Sequence, residues 1–239
     1  ITIQDNTKPT FIGPKNITLI KDASCNYNST PSVTGSPTEV KDNCDSNPTV
    51  TYTDSSCFDY NVLTQMNHGQ GYYYPVEISG FDNLTAGQLQ KVSMEFTTNQ
   101  GKGNAEFILI APNGDGIVLT GPYCSGGYCE VAGSTTYSPS FYPDSSGYTK
   151  WVNSNNIAAG AGDFEPNGGT SSNSIVGFNG NYRTRFEDLT GPMNGTWTLY
   201  GRKDTSAAGT LEFSGVCIRP TNCEENDLII RTWTATDAC

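Results

Sequence analysis

Apolar residues along this chain recur at every second position, and the three-to-four spacing of an amphipathic helix is nearly absent. The alternation predicts strands over 16–21 (Ile17, Leu19 and Lys21 on one face), 48–53 (Val50 and Tyr52 on one face), 76–80, 91–97, 105–110, 116–120, 196–200, 210–216 and 227–236. In the last of these, Thr232, Thr234 and Thr236 face one way and Trp233 and Ala235 the other. Turn-forming clusters separate the segments: Pro112-Asn113-Gly114-Asp115, Asn194-Gly195, Gly101-Lys102-Gly103 and Ala208-Gly209. Strands joined by such turns, without helices, predict all-β sandwiches. Trp197 and Trp233 both lie in alternating strands and are expected in cores. Residues 121–190 break the pattern, being rich in Gly, Ser, Asn and Tyr. A structureless loop of that length is foreign to a compact domain, so short strands and functional loops are expected there.

The cysteines fix the compartment. There are eight, at 25, 44, 57, 124, 129, 217, 223 and 239, with no C-x-x-C pair and a single histidine to accompany them. That pattern offers little to zinc and points to disulfides and an extracytoplasmic location. No apolar run is long enough to span a bilayer. A net charge of −11 argues against nucleic acid and anionic lipid as partners. The chain does not begin with Met and reads as a fragment of a longer secreted or surface protein.

Little in the sequence suggests catalysis. A serine hydrolase needs a histidine, and His68, in NHGQGYYYP, belongs to no nucleophile elbow. Asp163 and Glu165 are a close carboxylate pair, but no supporting cleft is readable. Calcium fits better: Asp115 in PNGDG and Asp163, Glu165 and Asn167 in GDFEPN supply oxygen ligands on irregular backbone. The same residues could instead cap turns. The aromatics of the irregular stretch also have two readings. Tyr123, Tyr128, Tyr142, Tyr148 and Trp151, set among Ser, Gly and Asn, have the composition of adaptable binding loops and suit a glycan or another surface. Alternatively, they pack those loops down as a small core.

Two resemblances organise the chain. The ends, with ITIQDNTKPTF, KDASC, VKDNC, NPTVTYTDSSC and CEENDLIIRTWTATDAC, resemble the hyalin-repeat-like (HYR-like) immunoglobulin-type modules found in tandem in giant surface proteins of Bacteroidota, gliding-motility adhesins among them. The middle, with VEISGFDNLTAGQLQKVSMEFTTNQGKGNAEFILIAPNGDGIVL and FEDLTGPMNGTWTLYGRKDTSAAGTLEFSGVCI, resembles the P-domain that follows subtilisin-like proprotein convertases. Together they imply an immunoglobulin-like β-sandwich, residues 9–57 and 218–239, interrupted by a jelly-roll β-sandwich, residues 58–217, with residues 1–8 as a linker from a preceding repeat. Such insertions succeed where the guest's ends lie close together. The P-domain resemblance implies structural calcium. The surface-protein resemblance implies type IX-type secretion, neighbouring repeats as partners, and a further strand after Cys239. Eight cysteines allow 105 connectivities. The scheme expected for an inserted domain is Cys124–Cys129 around Ser-Gly-Gly-Tyr, Cys57–Cys217 at the insert's base, Cys44–Cys239, and Cys25–Cys223. The expected function is non-enzymatic, with a surface-adhesin stalk displaying its insert to a glycan or surface. The alternatives are a pure spacer, or an accessory module of a secreted enzyme in the same polypeptide.

Overall fold

The computed structural model describes residues 5, 7–17, 19, 28–55, 57–99, 105–121, 134–151, 159–168, 175, 177–203, 210–220 and 229–238. The protein is all-β. Its strands are β1 (Thr10–Ile12), β2 (Thr38–Lys41), β3 (Thr49–Ser55), β4 (Phe58–Met66), β5 (Gly71–Ile78), β6 (Leu89–Thr98), β7 (Ala105–Ile110) and β8 (Asp115–Thr120). They continue with β9 (Thr135–Phe141), β10 (Gly160–Phe164), β11 (Asn181–Arg183), β12 (Gly195–Lys203), β13 (Leu211–Pro220) and β14 (Ile230–Thr236). A single turn of helix, Pro31–Thr34, opens with proline at its first position. The chain divides into two compact units: Ile1–Ser55 with Ile229–Cys239, and Ser56–Leu228. The second boundary falls beyond the expected residue 217, because β13 runs on through Ile218, Arg219 and Pro220, still paired with β6.

The inserted unit is a jelly roll. Its two sheets have the strand orders β10-β9-β6-β13-β4 and β11-β8-β7-β12-β5. Within each sheet the four central-to-edge strands β9-β6-β13-β4 and β8-β7-β12-β5 are antiparallel throughout, while β10 and β11 add in parallel at one edge of each sheet. The core follows from alternation. In β6, Val92, Met94, Phe96 and Thr98 are buried, while Lys91, Ser93, Glu95 and Thr97 point outward. In β13 a bulge between Phe213 and Gly215 shifts the phase, so Phe213 and Val216, three residues apart, both face the core. Trp197 is fully buried and its Nε1 donates to the Met193 carbonyl at 2.8 Å.

In β7 and β8 the alternation disappears, with every residue but Ile110 buried. The reason is a second cover. Ile175, Phe178 and Tyr182 pack on the outer face of that sheet against Ile108, Val118 and Tyr200. The Tyr182 hydroxyl clamps this strap, accepting from the Ile175 N–H at 2.8 Å and standing 3.1 Å from the Ile175 carbonyl, to which it donates. Glycines allow the close approach: a Cβ on Gly116 would lie 2.3 Å from the Phe178 ring, and one on Gly177, whose φ is +96°, 2.4 Å from the Tyr200 hydroxyl.

The flanking unit is built differently. β1 pairs with β2, and β14 pairs with β3 from Ile230↔Ser55 to Thr236↔Thr49. Thr232, Thr234 and Thr236 are exposed, while Trp233 and Ala235 are half-buried, so the expected alternation is present without the expected depth. None of the described residues of this unit is buried. Trp233 packs on Tyr52 across the ladder, with ring centres 5.2 Å apart. Arg231 ties the region together. Its Nε and Nη2 each donate to the Asp54 carboxylate at 2.7 Å, Nη1 donates to Thr34 Oγ1 at 2.7 Å, and Nη2 also reaches the Ser29 carbonyl. The guanidinium stands 4.1 Å from the centre of the Tyr52 ring. Asn16, Ile17 and Leu19, from the segment expected as a strand over 16–21, lie outside any strand.

Cys57 and Cys217 form a disulfide with Cα atoms 5.7 Å apart, as the insertion scheme expects. Cys44 is also disulfide-bonded. Ala238, the residue before Cys239, donates its N–H to Asp45, the residue after Cys44, at 2.9 Å. Cys25, Cys124, Cys129, Cys223 and Cys239 lie outside the described residues, and the expected Cys124–Cys129 and Cys25–Cys223 pairings fall there with them.

Candidate ligand-binding surface

The aromatics singled out by composition separate by depth. Trp151 is 1 % exposed and belongs to the core, which corrects its assignment as a ligand-contacting ring. Phe164 meets it edge-on at 4.9 Å between ring centres, and Phe96, Tyr137 and Phe141 complete its surroundings. Its backbone is held too, its N–H donating to the Glu165 carbonyl at 3.0 Å. The segment 142–150 leads from β9 to this anchor. It passes through a 3₁₀ turn, Asp144–Ser146, and then Gly147 in the left-handed region, where only glycine is unstrained. What that segment leaves at the surface is a ring pair: half-buried Tyr142 and exposed Tyr148, with centres 4.9 Å apart. The Lys91 ammonium lies 5.6 Å from the centre of the Tyr142 ring, and Lys150 pairs with Asp144 at 3.5 Å. Tyr123 and Tyr128 lie outside the described residues.

A row of polar side chains continues from the ring pair along the outer face of β9 and β6. Ser140 and Ser93 hydroxyls hydrogen-bond at 3.0 Å, Ser138 donates to the Glu95 carboxylate at 3.0 Å, and Thr136 and Thr97 hydroxyls pair at 2.8 Å. Asp163 of β10, opposite Ser140 in register, extends the row on its other side and is exposed. Composition did not single out this row, because serine and threonine at alternate positions read equally as ordinary strand surface.

The four expected calcium ligands do not form one site. Asp115 is 1 % exposed and its carboxylate is fully occupied by protein. It accepts from the Thr190 N–H at 3.0 Å, the Thr190 hydroxyl at 2.7 Å, Arg183 at 3.1 Å and Asn181 at 3.4 Å. Burial alone would push its pKa up. The hydrogen bonds from the Thr190 hydroxyl, Arg183 and the Thr190 N–H outweigh that and hold the carboxyl well below the usual carboxylate range. Asn167 sits at the other end of β8. Its N–H donates to the Leu119 carbonyl at 3.3 Å and its side chain to the Gly121 carbonyl. The two are therefore separated by most of a six-residue strand, roughly 15 Å. Asp163 is exposed and Glu165 buried. Among the described residues no three histidine, cysteine or acidic side chains come together as a metal group. His68 is exposed and forms a single bridge with Lys203.

No family model matches this chain, and no curated protein does.

Proposed function

We propose that the chain is a segment of an extracellular surface protein in which the inserted jelly roll is a display domain that makes contact with a ligand, and the flanking unit is a link to neighbouring repeats. The observation that carries this reading is the division of the chain. A complete sandwich, Ser56–Leu228, interrupts a second unit, and the Cys57–Cys217 disulfide joins the residue before the insert's first strand to its last strand, near the points where the chain enters and leaves. An insert so held can vary on its surface without disturbing the unit that carries it. The disulfides support an oxidising compartment. The surface ring pair of half-buried Tyr142 and exposed Tyr148 supports a contact role. The spacer reading is favoured by the burial of Trp151 and by the strap over β7 and β8, since both put aromatic side chains into packing.

The experiment is to immobilise residues 1–239 and measure adhesion to glycans, to insoluble polysaccharides and to whole bacterial and host cell surfaces. Retention on one class above a control β-sandwich of equal charge is the expected outcome. Absence of retention on all of them supports the spacer.

A further inference from the structure

The insert is two-sided in a literal sense. Over β7, β8 and Tyr200 of β12 the outer face of one sheet is covered by the strap, with β5 left exposed at its edge, whereas on the other sheet the outward residues Lys91, Ser93, Glu95, Thr136, Ser138 and Ser140 are all exposed or half-buried. That open face has the chemistry of a polyol site. A sugar ring presents an apolar face of C–H groups and a polar rim of hydroxyls, each of which both donates and accepts. The Tyr142–Tyr148 pair supplies apolar ring surface at one end. The Ser140–Ser93, Ser138–Glu95 and Thr136–Thr97 pairs supply groups already fixed by one hydrogen bond, each with capacity left for another. Fixed groups lose little freedom on binding, which favours a ligand that must be met at several weak points.

We infer that the outer face of β9 and β6, from Tyr142 and Tyr148 at one end to Thr136 and Thr97 at the other, is the binding surface for a neutral polysaccharide chain. This rests on the display reading above and adds to it the site and the ligand class. Charge selects the class. Against the one ammonium of the row, Lys91 over the Tyr142 ring, stand Glu95 and Asp163, both exposed, on a chain of net charge −11, so uronic or sulfated polymers are disfavoured. Uncharged hydroxyls are instead good donors to the same carboxylates. The row runs along most of a seven-residue strand, so it takes several sugar units of an extended chain rather than one terminal residue.

The test uses the full chain in affinity electrophoresis and calorimetry against soluble neutral polysaccharides (mixed-linkage glucan, xylan, mannan), with alginate and heparin as charged comparisons. Binding to at least one neutral polymer and to neither charged one is expected. Tyr148→Ala, and Tyr142→Ala with unchanged thermal midpoint, are expected to weaken association about tenfold. The Glu95→Gln/Ser138→Ala double variant should produce a smaller loss. Tyr73→Ala, a 62 % exposed tyrosine on β5 of the other sheet, should leave binding unchanged and serves as the control. Neutral-polymer binding that survives both tyrosine variants overturns this site while leaving the display reading intact. Preference for alginate or heparin overturns the ligand class. Failure to bind any polymer overturns the inference, and the display reading falls with it only if the chain also fails to adhere to cell surfaces.

Discussion

Two tryptophans in nearly the same local sequence have different fates. Thr196-Trp197-Thr198 in β12 and Thr232-Trp233-Thr234 in β14 both alternate, and both place tryptophan on the inward face. Trp197 is fully buried and hydrogen-bonded, whereas Trp233 is half-buried beside Tyr52 and Arg231. A strand's pattern therefore says which way a residue points; how deep it goes depends on what lies opposite. In the insert, a second sheet lies opposite. In the flanking unit, the described residues form two-stranded ladders with no buried side chain among them. Its described residues are held instead by a disulfide at Cys44, by side-chain-capped turns such as Asp42 accepting from the Cys44 and Asp45 N–H groups at 2.8 Å, and by the Arg231 clamp, the devices of small β-structures.

The sharpest way to test the contrast is to truncate both tryptophans. Trp197→Ala should destabilise the insert by about 3–5 kcal/mol, through lost burial and the cavity left behind. Trp233→Ala should cost the flanking unit about 1 kcal/mol. Chemical denaturation followed by near-UV circular dichroism measures both, and equal effects would refute the difference in depth. Next in size is the Cys57→Ser/Cys217→Ser variant, expected to lose about 2–4 kcal/mol from the insert's unfolding transition. Arg231→Ala should follow at about 1–3 kcal/mol. It should act on the flanking unit alone and should not be matched by Arg231→Lys, which cannot hold both Asp54 oxygens and lie against Tyr52 at once. Hydrogen exchange resolved by unit separates these last two.

The smallest effect is one of pH. Because the folded Asp115 carboxyl is held below its ordinary range, its contribution is present above the unfolded pKa of about 4 and is lost as pH falls through and below that value. The insert's melting temperature should therefore drop more steeply below about pH 4 in the wild type than in Asp115→Asn, which lacks the titrating group. Parallel acid profiles would show that Asp115 does not carry the slope.

How much of this was legible depended on what each residue meets. β7 occupies the expected residues 105–110, β6 and β12 enclose the strands expected there, and β13 covers the expected 210–216 from Leu211 on, because apolar residues in these segments lie between turn signals. β4 went unassigned although Phe58, Tyr60, Val62 and Thr64 alternate with exposed positions along it. β9 and β10 are mostly small and polar residues, with Tyr137, Phe141 and Phe164 their only large apolar side chains, which leaves little trace in composition. The continuous apolar runs of β7 and β8 did hold a signal, since a strand apolar on both faces needs covers on both. The strap itself could not be named from sequence, because its fit depends on the missing side chains of Gly116 and Gly177 meeting distant rings. Among the candidate site residues, Tyr142 and Tyr148 meet at the surface, whereas composition could not show that Trp151 is buried at the end of their segment or that the hydroxyl pairs of β9 and β6 share their face.

The Cys57–Cys217 bond also has a mechanical consequence. It closes a loop of sequence separation 160. A load arriving along β3 reaches Cys57, crosses the sulfur bridge to Cys217 and leaves toward β14, so the polypeptide between the two cysteines carries no tension. On the order of 500 Å of extensible chain is locked out of the force path in this way. Pulling on the flanking strands therefore cannot extend the polypeptide between Cys57 and Cys217.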